Sequence, residues 1–137
     1  MASAWASAEM PILVNGKPAA QGRPGTYAIL DRTWSDGDTI SFVLPMSFRL
    51  NRYAGQEKLK DAYALEYGPI LMALIGNVDE KQGAGIHARA DDLPGRLRAK
   101  AGQPLHFAID GDEQHEYIPY CQVALDQTFT CYPSMGA

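Results

Sequence analysis

The chain lacks the features that mark several large classes of protein. It has two cysteines in 137 residues, too few for a disulfide scaffold and, by themselves, too few for a zinc site. Its 12 basic and 16 acidic residues give a net charge of -4, which argues against nucleic acid as a partner because that partner needs a basic surface. The longest strongly apolar run, residues 69–75, is too short to cross a bilayer, so no membrane partner is expected.

Signals of catalysis and export are also missing. There is no glycine-rich phosphate loop, no nucleophile elbow and no ordered Ser/His/Asp series. The three histidines, His87, His106 and His115, lack the spacing of metal ligands, so we expect surface or core roles for them and predict neither a metal nor a cofactor. Residues 1–8 have no basic start and no sustained apolar stretch, unlike a signal peptide. The compartment stays open between cytoplasm and export.

The clearest positive signal in the sequence is an alternation of apolar and polar residues. Every second residue from 40 to 50 is apolar, and most of the intervening residues are polar. A period of two predicts strands with one buried face, while the stretch Ser35-Asp36-Gly37-Asp38 is typical of a turn. Asn15-Gly16 predicts a hairpin, followed by a loop at 17–25. From pattern alone we expect strands at residues 11–14, 27–31, 39–44, 46–51, 105–109, 116–123 and 128–132.

These short strands and frequent turns predict one all-β domain over residues 1–137, an antiparallel β-sandwich of jelly-roll type with little helix. Residues 76–103 are predicted as a long insertion, either mobile or holding a short helix. The last two strands should form a closing hairpin around Asp126, which would place Cys121 opposite Cys131. Two interpretations of that pair stay open, a cross-strand disulfide or two free buried thiols.

An ordered series of short motifs carries a resemblance to a known family. The series resembles the C-terminal β-sandwich region of the β-L-arabinofuranosidase-like glycoside hydrolases, formerly a domain of unknown function. The resemblance implies strands at 63–67 and 70–75, whereas pattern alone allows a short helix near 56–62. The motifs lie at residues 14–17, 24–27, 31–40, 44–46, 64–73, 118–120 and 129–133.

The resemblance implies that the family's chemistry belongs to a different domain. Release of L-arabinofuranose by a zinc-bound cysteine would occur in a helical barrel, and nothing in this sequence matches that motif, so no catalytic residue is predicted. We therefore expect a non-catalytic accessory domain, structural or carbohydrate-associated, whose partner is the catalytic domain of a parent enzyme. One alternative is a stand-alone carbohydrate-binding module.

A third alternative is a small glycosidase that uses its own carboxylates. The candidates occur at two turns, and turn chemistry explains them better than a desolvated catalytic pair or a calcium loop. For carbohydrate contact the candidates are aromatic residues, because amphipathic rings are common at binding surfaces, although core packing competes for each; Trp34 is assigned to the core. The carboxylates are Asp36, Asp38, Asp110, Asp112 and Glu113, and the carbohydrate candidates are Trp5, Tyr53, Tyr117 and Tyr120.

A homodimer through a sheet edge is the remaining expectation. In the resembled family a further apolar strand runs into the tryptophan that matches Trp5, and residues 1–4 cannot supply that strand. A sheet that lacks a strand exposes unpaired backbone groups, which a second copy could cover in a two-fold dimer. The alternative is that the N-terminal segment covers the edge of its own chain.

Overall fold

The structure, a computed structural model, describes residues 6–55 and 61–136. Almost all of its regular structure is β-strand and nearly every strand pair is antiparallel, so the predicted all-β fold with little helix is confirmed. The chain divides into two compact units, residues 1–47 and 48–137, and each contains its own sheet. The prediction of a single domain over 1–137 stays a prediction. None of the described helices has the length and apolar character needed to cross a membrane.

Unit 1, residues 1–47, contains a three-stranded antiparallel sheet in the order β2-β1-β3. Its strands are β1 (Met10–Val14), β2 (Lys17–Gly22) and β3 (Ile40–Ser41). Asn15 and Gly16 join the first two with φ angles of 51° and 76°, the pair of positive values that a two-residue hairpin turn of type I′ requires. The predicted hairpin is confirmed. The loop predicted at 17–25 is wrong over residues 17–22, because β2 pairs with β1 there and its edge position tolerates Pro18; residues 23–25 lie outside the strand.

The start of the alternating stretch does not bury its apolar face as predicted, whereas Phe48 and Leu50 at its end pack against the core of unit 2. Only Ile40–Ser41 of the expected strand at 39–44 is paired, and no strand forms at 27–31. Ile40 is 49% exposed and Phe42 is 53% exposed. A period of two gives a strand two distinct faces, but a face is buried only where a second layer covers it. The buried apolar residues of unit 1 come instead from the N-terminal stretch and β1: Ala6, Met10, Ile12 and Val14.

Unit 2, residues 48–137, is built on a seven-stranded sheet. Its main path runs β4-β5-β6-β10-β9-β8, and β11 pairs with β6. A parallel pair, β7 with β12, lies apart from this path. The elements are β4 (Phe48–Arg52), β5 (Tyr63–Tyr67), β6 (Ile70–Gly76), β7 (Gly85–Ile86), α1 (Leu93–Arg96), β8 (Leu97–Ala99), β9 (Phe107–Ile109), β10 (Asp112–Pro119), β11 (Phe129–Thr130) and β12 (Ser134–Met135).

The two strands implied by the family resemblance, 63–67 and 70–75, are present as β5 and β6. The other unit 2 strands predicted from pattern are present with shifted ends: β4 starts two residues later than predicted, and β10 starts at Asp112 and ends at Pro119. Proline cannot donate to the ladder, and a 3-10 turn, Tyr120–Gln122, follows. The possible helix at 56–62 falls mostly outside the described residues.

The core of unit 2 lies between this sheet and the segment expected to be an insertion. Residues 76–103 contain β7, α1 and β8, and four of their side chains join the central apolar cluster. These contacts make the segment part of the core layer, because each buried side chain removes apolar area from water. The four are Ile86, Ala88, Leu93 and Leu97.

The predicted closing hairpin is wrong. Tyr117 of β10 and Thr130 of β11 both lie opposite Leu74, so β6 separates the two strands. Cys121 lies in the 3-10 turn and Cys131 follows β11, and both are free. They are therefore not cross-strand neighbours, since a whole strand, about 4.8 Å on each side, lies between the strands that lead to them.

We expect the two thiols to differ in reactivity. Cys121 is exposed, whereas Cys131 is partly buried, and burial raises the pKa of its thiol. The thiolate is the reacting form, so Ellman's reagent should label Cys121 rapidly and Cys131 slowly. Intact mass without reductant should show two free thiols. Equal labelling rates, or a mass two hydrogens lower, would contradict this arrangement.

Replacing Leu74 by Ala should destabilise unit 2 strongly. Its side chain is fully buried on the strand that pairs with β10 and β11, and such a truncation costs about 2–5 kcal/mol. Phe42→Ala is the comparison, and with 53% of Phe42 exposed it should cost no more than about 1 kcal/mol. Urea denaturation followed by circular dichroism measures both. A larger loss for Phe42→Ala would show that its ring is buried.

Candidate functional site

The four predicted carbohydrate contacts do not come together. Trp5 lies outside the described residues. Tyr117 is fully buried, which rules it out as a sugar contact; burial raises the pKa of its hydroxyl, and that hydroxyl has no hydrogen-bond partner among the described residues. Tyr53 is half-buried and meets Tyr132 edge-on, with ring centroids 5.3 Å apart. Only Tyr120, 50% exposed, presents a substantial free ring.

Tyr120 belongs to a small exposed aromatic surface on unit 2. Its ring lies 5.6 Å from that of Phe129, and the two planes are tilted by 53°. Leu125 is fully exposed and lines a shallow depression of about 340 Å³ beside Phe129. Because the rings are not coplanar, they offer two separate faces rather than one flat platform. Sequence reasoning missed Phe129, since an aromatic residue in a predicted strand is first assigned to the core.

Unit 2 also has a polar recess. We call it the polar cleft, an open depression of about 740 Å³. It lies between the loop that links β6 to β7 and the turn that links β9 to β10. Amide and carboxylate side chains dominate its lining, namely Asn77, Asp79, Gln82, Asp112, Glu113 and Gln114. The sequence predicted Asp112 and Glu113 only as turn residues, and nothing local indicated that residues near 80 would face them.

A hydrogen-bonded pair of side chains, His115 and Asp112, holds one wall of the polar cleft. His115, with 7% of its side chain exposed, places Nδ1 2.8 Å from Asp112 Oδ2 and Nε2 3.0 Å from the carbonyl oxygen of Asn77. Its partners on both sides are oxygen acceptors, a carboxylate and a backbone carbonyl. We call this pair, together with its contact to Asn77, the His115 clamp.

The carboxyl of Asp112 is held in its charged form. Burial would raise its pKa, but hydrogen bonds from the His115 ring and the backbone N–H of Gln114, together with the charge of His115, lower it overall. Beside the clamp, a Cβ at residue 76 would come within 2.1 Å of the Gln114 carbonyl oxygen. Only glycine fits there, at a φ of 110°. Gly76 therefore allows β6 to meet the start of β10 closely.

The remaining carboxylate candidates serve local structure. Asp38 accepts hydrogen bonds from the Ser35 backbone N–H at 2.9 Å and the Asn15 amide at 2.7 Å. The hydrogen bonds from Ser35 and then Asn15 lower its pKa, with a further contribution from Arg32. Asp110 pairs with Arg98 at 2.9 Å. A glycosidase acid needs a raised pKa, whereas Asp38 and Asp112 both shift downward, which disfavours a catalytic carboxylate pair.

Unit 1 presents large apolar side chains to solvent. Tyr27, Ile29 and Val43 are 82%, 84% and 82% exposed, and Phe42 is 53% exposed. We call these four residues the exposed apolar set. Single exposed apolar residues are ordinary, but with Trp34 and Ile40 six occur within residues 27–43 of a unit of 47 residues. The core assignment of Trp34 is also wrong, because it is 45% exposed and lies under the Arg32 guanidinium at 4.8 Å.

The two edges of the unit 1 sheet differ. The β2 edge carries Lys17 and Pro18, which are common protections against pairing with another strand. At the other edge, residues 39–44 contain neither charge nor proline. Beyond Ile40–Ser41, no strand pairing extends to residues 42–44 in the part of the chain that the structure describes. Among the described strands, β3 pairs with β1 alone, so its outer edge is open to an additional strand.

Comparison with known proteins agrees with the resemblance seen in the sequence. Residues 2–46 match the family model described as "Beta-L-arabinofuranosidase, GH127 middle domain". The matched range ends one residue before the end of unit 1. The predicted resemblance to an arabinofuranosidase-like GH127 region is confirmed over these residues, although they match the middle domain rather than a C-terminal region. No curated protein matches the chain.

The fold is also similar to a solved structure titled "Glycoside hydrolase". The match has a TM-score of 0.61 and 18% sequence identity, and it covers 93% of this chain. It covers 26% of the other chain, so this chain spans about a quarter of that protein. At this identity the similarity concerns the fold alone.

The His115 clamp should make stability depend on pH. The lowered pKa of Asp112 means that its contribution is present above about pH 4, its ordinary value, and is lost as the pH falls through the lower folded-state value. Asp112→Asn should therefore be less stable than wild type at pH 7, and the gap should close in acid. Thermal unfolding from pH 2 to 7 measures this, with Glu80→Gln as an exposed control. A gap independent of pH would contradict it.

Proposed function

We propose, from its arabinofuranosidase-like GH127 region, that this chain is a non-catalytic accessory part of a glycoside hydrolase. Its role is structural: unit 1 docks against another part of such an enzyme, its catalytic domain being the partner. The exposed apolar set is the observation that carries this proposal. It lies inside the range that matches a domain described as the middle one, a position that implies neighbours in the family's proteins.

Burial of the exposed apolar set would supply the driving force for docking. Removing apolar surface from water stabilises a contact by roughly 25 cal/mol per Å², and the four side chains are more than half exposed. The open edge at residues 39–44 adds backbone donors and acceptors to the same region. Apolar side chains beside unpaired backbone groups are what a docked strand requires, since main-chain hydrogen bonds supply affinity and alternate side chains supply specificity.

The carboxylates support a non-catalytic role. A retaining glycosidase needs two carboxyl groups about 5 Å apart and an acid whose pKa is raised. In this chain Asp38 and Asp112 are held in the charged form, and Asp110 is bound to Arg98. We therefore expect the chain alone to release no nitrophenol from a nitrophenyl arabinofuranoside. Release that is abolished by mutating one carboxylate would refute the proposal.

Self-association is an alternative use of the same surface. A homodimer through the open edge would cover the exposed apolar set with a second copy, because a strand can pair antiparallel with itself across a two-fold axis. Sedimentation at micromolar concentration distinguishes the two cases. A monomer favours docking to another domain, and a dimer favours the second copy.

Carbohydrate binding is the second candidate function. The exposed rings of Tyr120 and Phe129 favour it, since aromatic rings with a polar end are common at binding surfaces. The polar cleft on the same unit offers hydrogen-bonding groups as well. ANS binding and sedimentation test the structural role, and titration with sugar tests the carbohydrate-associated role.

The docking surface can be tested by making it polar. The double variant Phe42→Ser with Val43→Ser should bind less of the dye ANS and lose any self-association, because it removes two exposed apolar side chains. Its unfolding midpoint should change little, since both residues are largely exposed. The matched control is Leu125→Ser, an exposed apolar residue of unit 2. If ANS binding and sedimentation are the same for wild type and double variant, the docking role is wrong.

A further inference from the structure

We propose that the polar cleft of unit 2 binds a neutral sugar residue through pairs of neighbouring hydroxyl groups. A sugar is the ligand class expected here only if the chain serves a glycoside hydrolase, so this inference rests on the proposed function. It assigns the binding to Asp79, Gln82 and Glu113, with His87 at the rim. None of these is among the aromatic residues that the sequence indicated.

The cleft has hydrogen-bonding groups that the fold does not use. In the part of the chain that the structure describes, the side chains of Gln82 and Glu113 and the imidazole of His87 make no hydrogen bond or ion pair. Asp79 uses Oδ1 to accept from the backbone N–H groups of Lys81 and Gln82, at 2.8 and 2.7 Å, which leaves Oδ2 available. Carboxylates and amides each present two polar atoms in one plane, a geometry that suits adjacent hydroxyls.

The walls of the cleft are already held in place. Asn77 donates its backbone N–H to the Gln114 carbonyl at 3.0 Å and its side-chain amide to Gln114 Oε1 at 3.1 Å. The His115 clamp ties Asn77 to Asp112. On the opposite wall, Asp79 and Gly83 exchange two backbone hydrogen bonds, of 2.9 and 2.8 Å. A cleft whose backbone is held before binding loses less entropy when the ligand arrives.

The shape of the cleft fits a small ligand. Its volume of about 740 Å³ is within the range of small-molecule sites, about 300–1,000 Å³. Gly83, Gly85 and Gly111 line it and leave it open because they carry no side chains. It is exposed to solvent on one side, so we expect weak binding, with a dissociation constant in the millimolar range.

The charges of the cleft exclude other ligand classes. Its Arg96 guanidinium is occupied by the carbonyl oxygens of His87 and Asp110, at 2.5 to 2.9 Å. An anion such as phosphate would therefore meet Asp79 and Glu113 with no free arginine to balance them. Among the described residues, no group of three or more His, Cys, Asp or Glu side chains is placed to hold a metal ion. No Phe, Tyr or Trp of the described ranges, 6–55 and 61–136, lines the cleft, so none of these residues would stack on a flat aromatic ligand there.

The test uses the whole chain, labelled with ¹⁵N, and titrates it with L-arabinose and with a linear arabino-oligosaccharide. Amide shifts should change at residues 77–85 and 111–115 with millimolar affinity, and inorganic phosphate should produce no such change. Glu113→Ala and Gln82→Ala should each weaken binding at least tenfold. Glu80→Ala is the matched control, because Glu80 neighbours Asp79 in the same loop but lines the separate depression beside Phe129.

Three outcomes would overturn the proposal. They are the absence of shifts at saturating sugar, shifts centred on Tyr120 and Phe129 that disappear in Tyr120→Ala, and equal affinity for Glu113→Ala and wild type. Each leaves the docking role untouched, because ANS binding and sedimentation of the Phe42 and Val43 variant report on unit 1. Conversely, ANS binding and sedimentation could be unchanged in the Phe42 and Val43 variant while sugar shifts the amide signals of the cleft. In that case the docking role is wrong and the cleft proposal stands.

Discussion

The pairing of β6 on both of its edges is the constraint on which unit 2 depends. Its residues Met72 to Ile75 are all buried, and at Leu74 it meets β10 on one edge and β11 on the other. This arrangement brings the C-terminal part of the chain across the sheet rather than folding it back as a hairpin. It separates the two cysteines, buries Tyr117, and leaves Tyr120 and Phe129 at the surface, so the exposed chemistry of unit 2 follows from one strand.

The end of the same strand also shapes the polar cleft. Gly76 lets β6 approach the start of β10, and the His115 clamp then joins Asn77 to Asp112. The His115 side chain is only 7% exposed, and a polar group removed from water needs hydrogen-bond partners because leaving it unpaired is costly. The sequence pattern suggested Asp112 and Glu113 as members of a catalytic pair. Asp112 instead has a structural role, and among the described residues the side chain of Glu113 makes no hydrogen bond. A surface with one fixed wall and spare hydrogen-bonding capacity suits recognition better than catalysis.

Unit 1 differs from unit 2 because the surface feature described there is apolar rather than polar. Its sheet has three strands, with one edge protected by Lys17 and Pro18 and the other open. Its exposed apolar set and its match to a GH127 middle domain both support the proposed docking to another domain. Large apolar side chains left in water do not contribute the favourable free energy of burial unless another surface covers them. The two units therefore divide the proposed roles, with docking in the first and ligand recognition in the second.

The sequence by itself determined the features that depend on near neighbours. The Asn15-Gly16 hairpin, the turn at residues 35–38 and the antiparallel all-β class could be predicted, because turn chemistry and a period of two are local properties. The GH127-like region was indicated by the resemblance of an ordered series of motifs. The tertiary structure alone decided which faces are covered and which strands pair. Ile40 and Phe42 have a strand pattern but no covering layer, Cys131 is separated from Cys121 by β6, and the cleft unites residues from 77 to 134. Such contacts join parts of the chain far apart in sequence, and no local pattern encodes them.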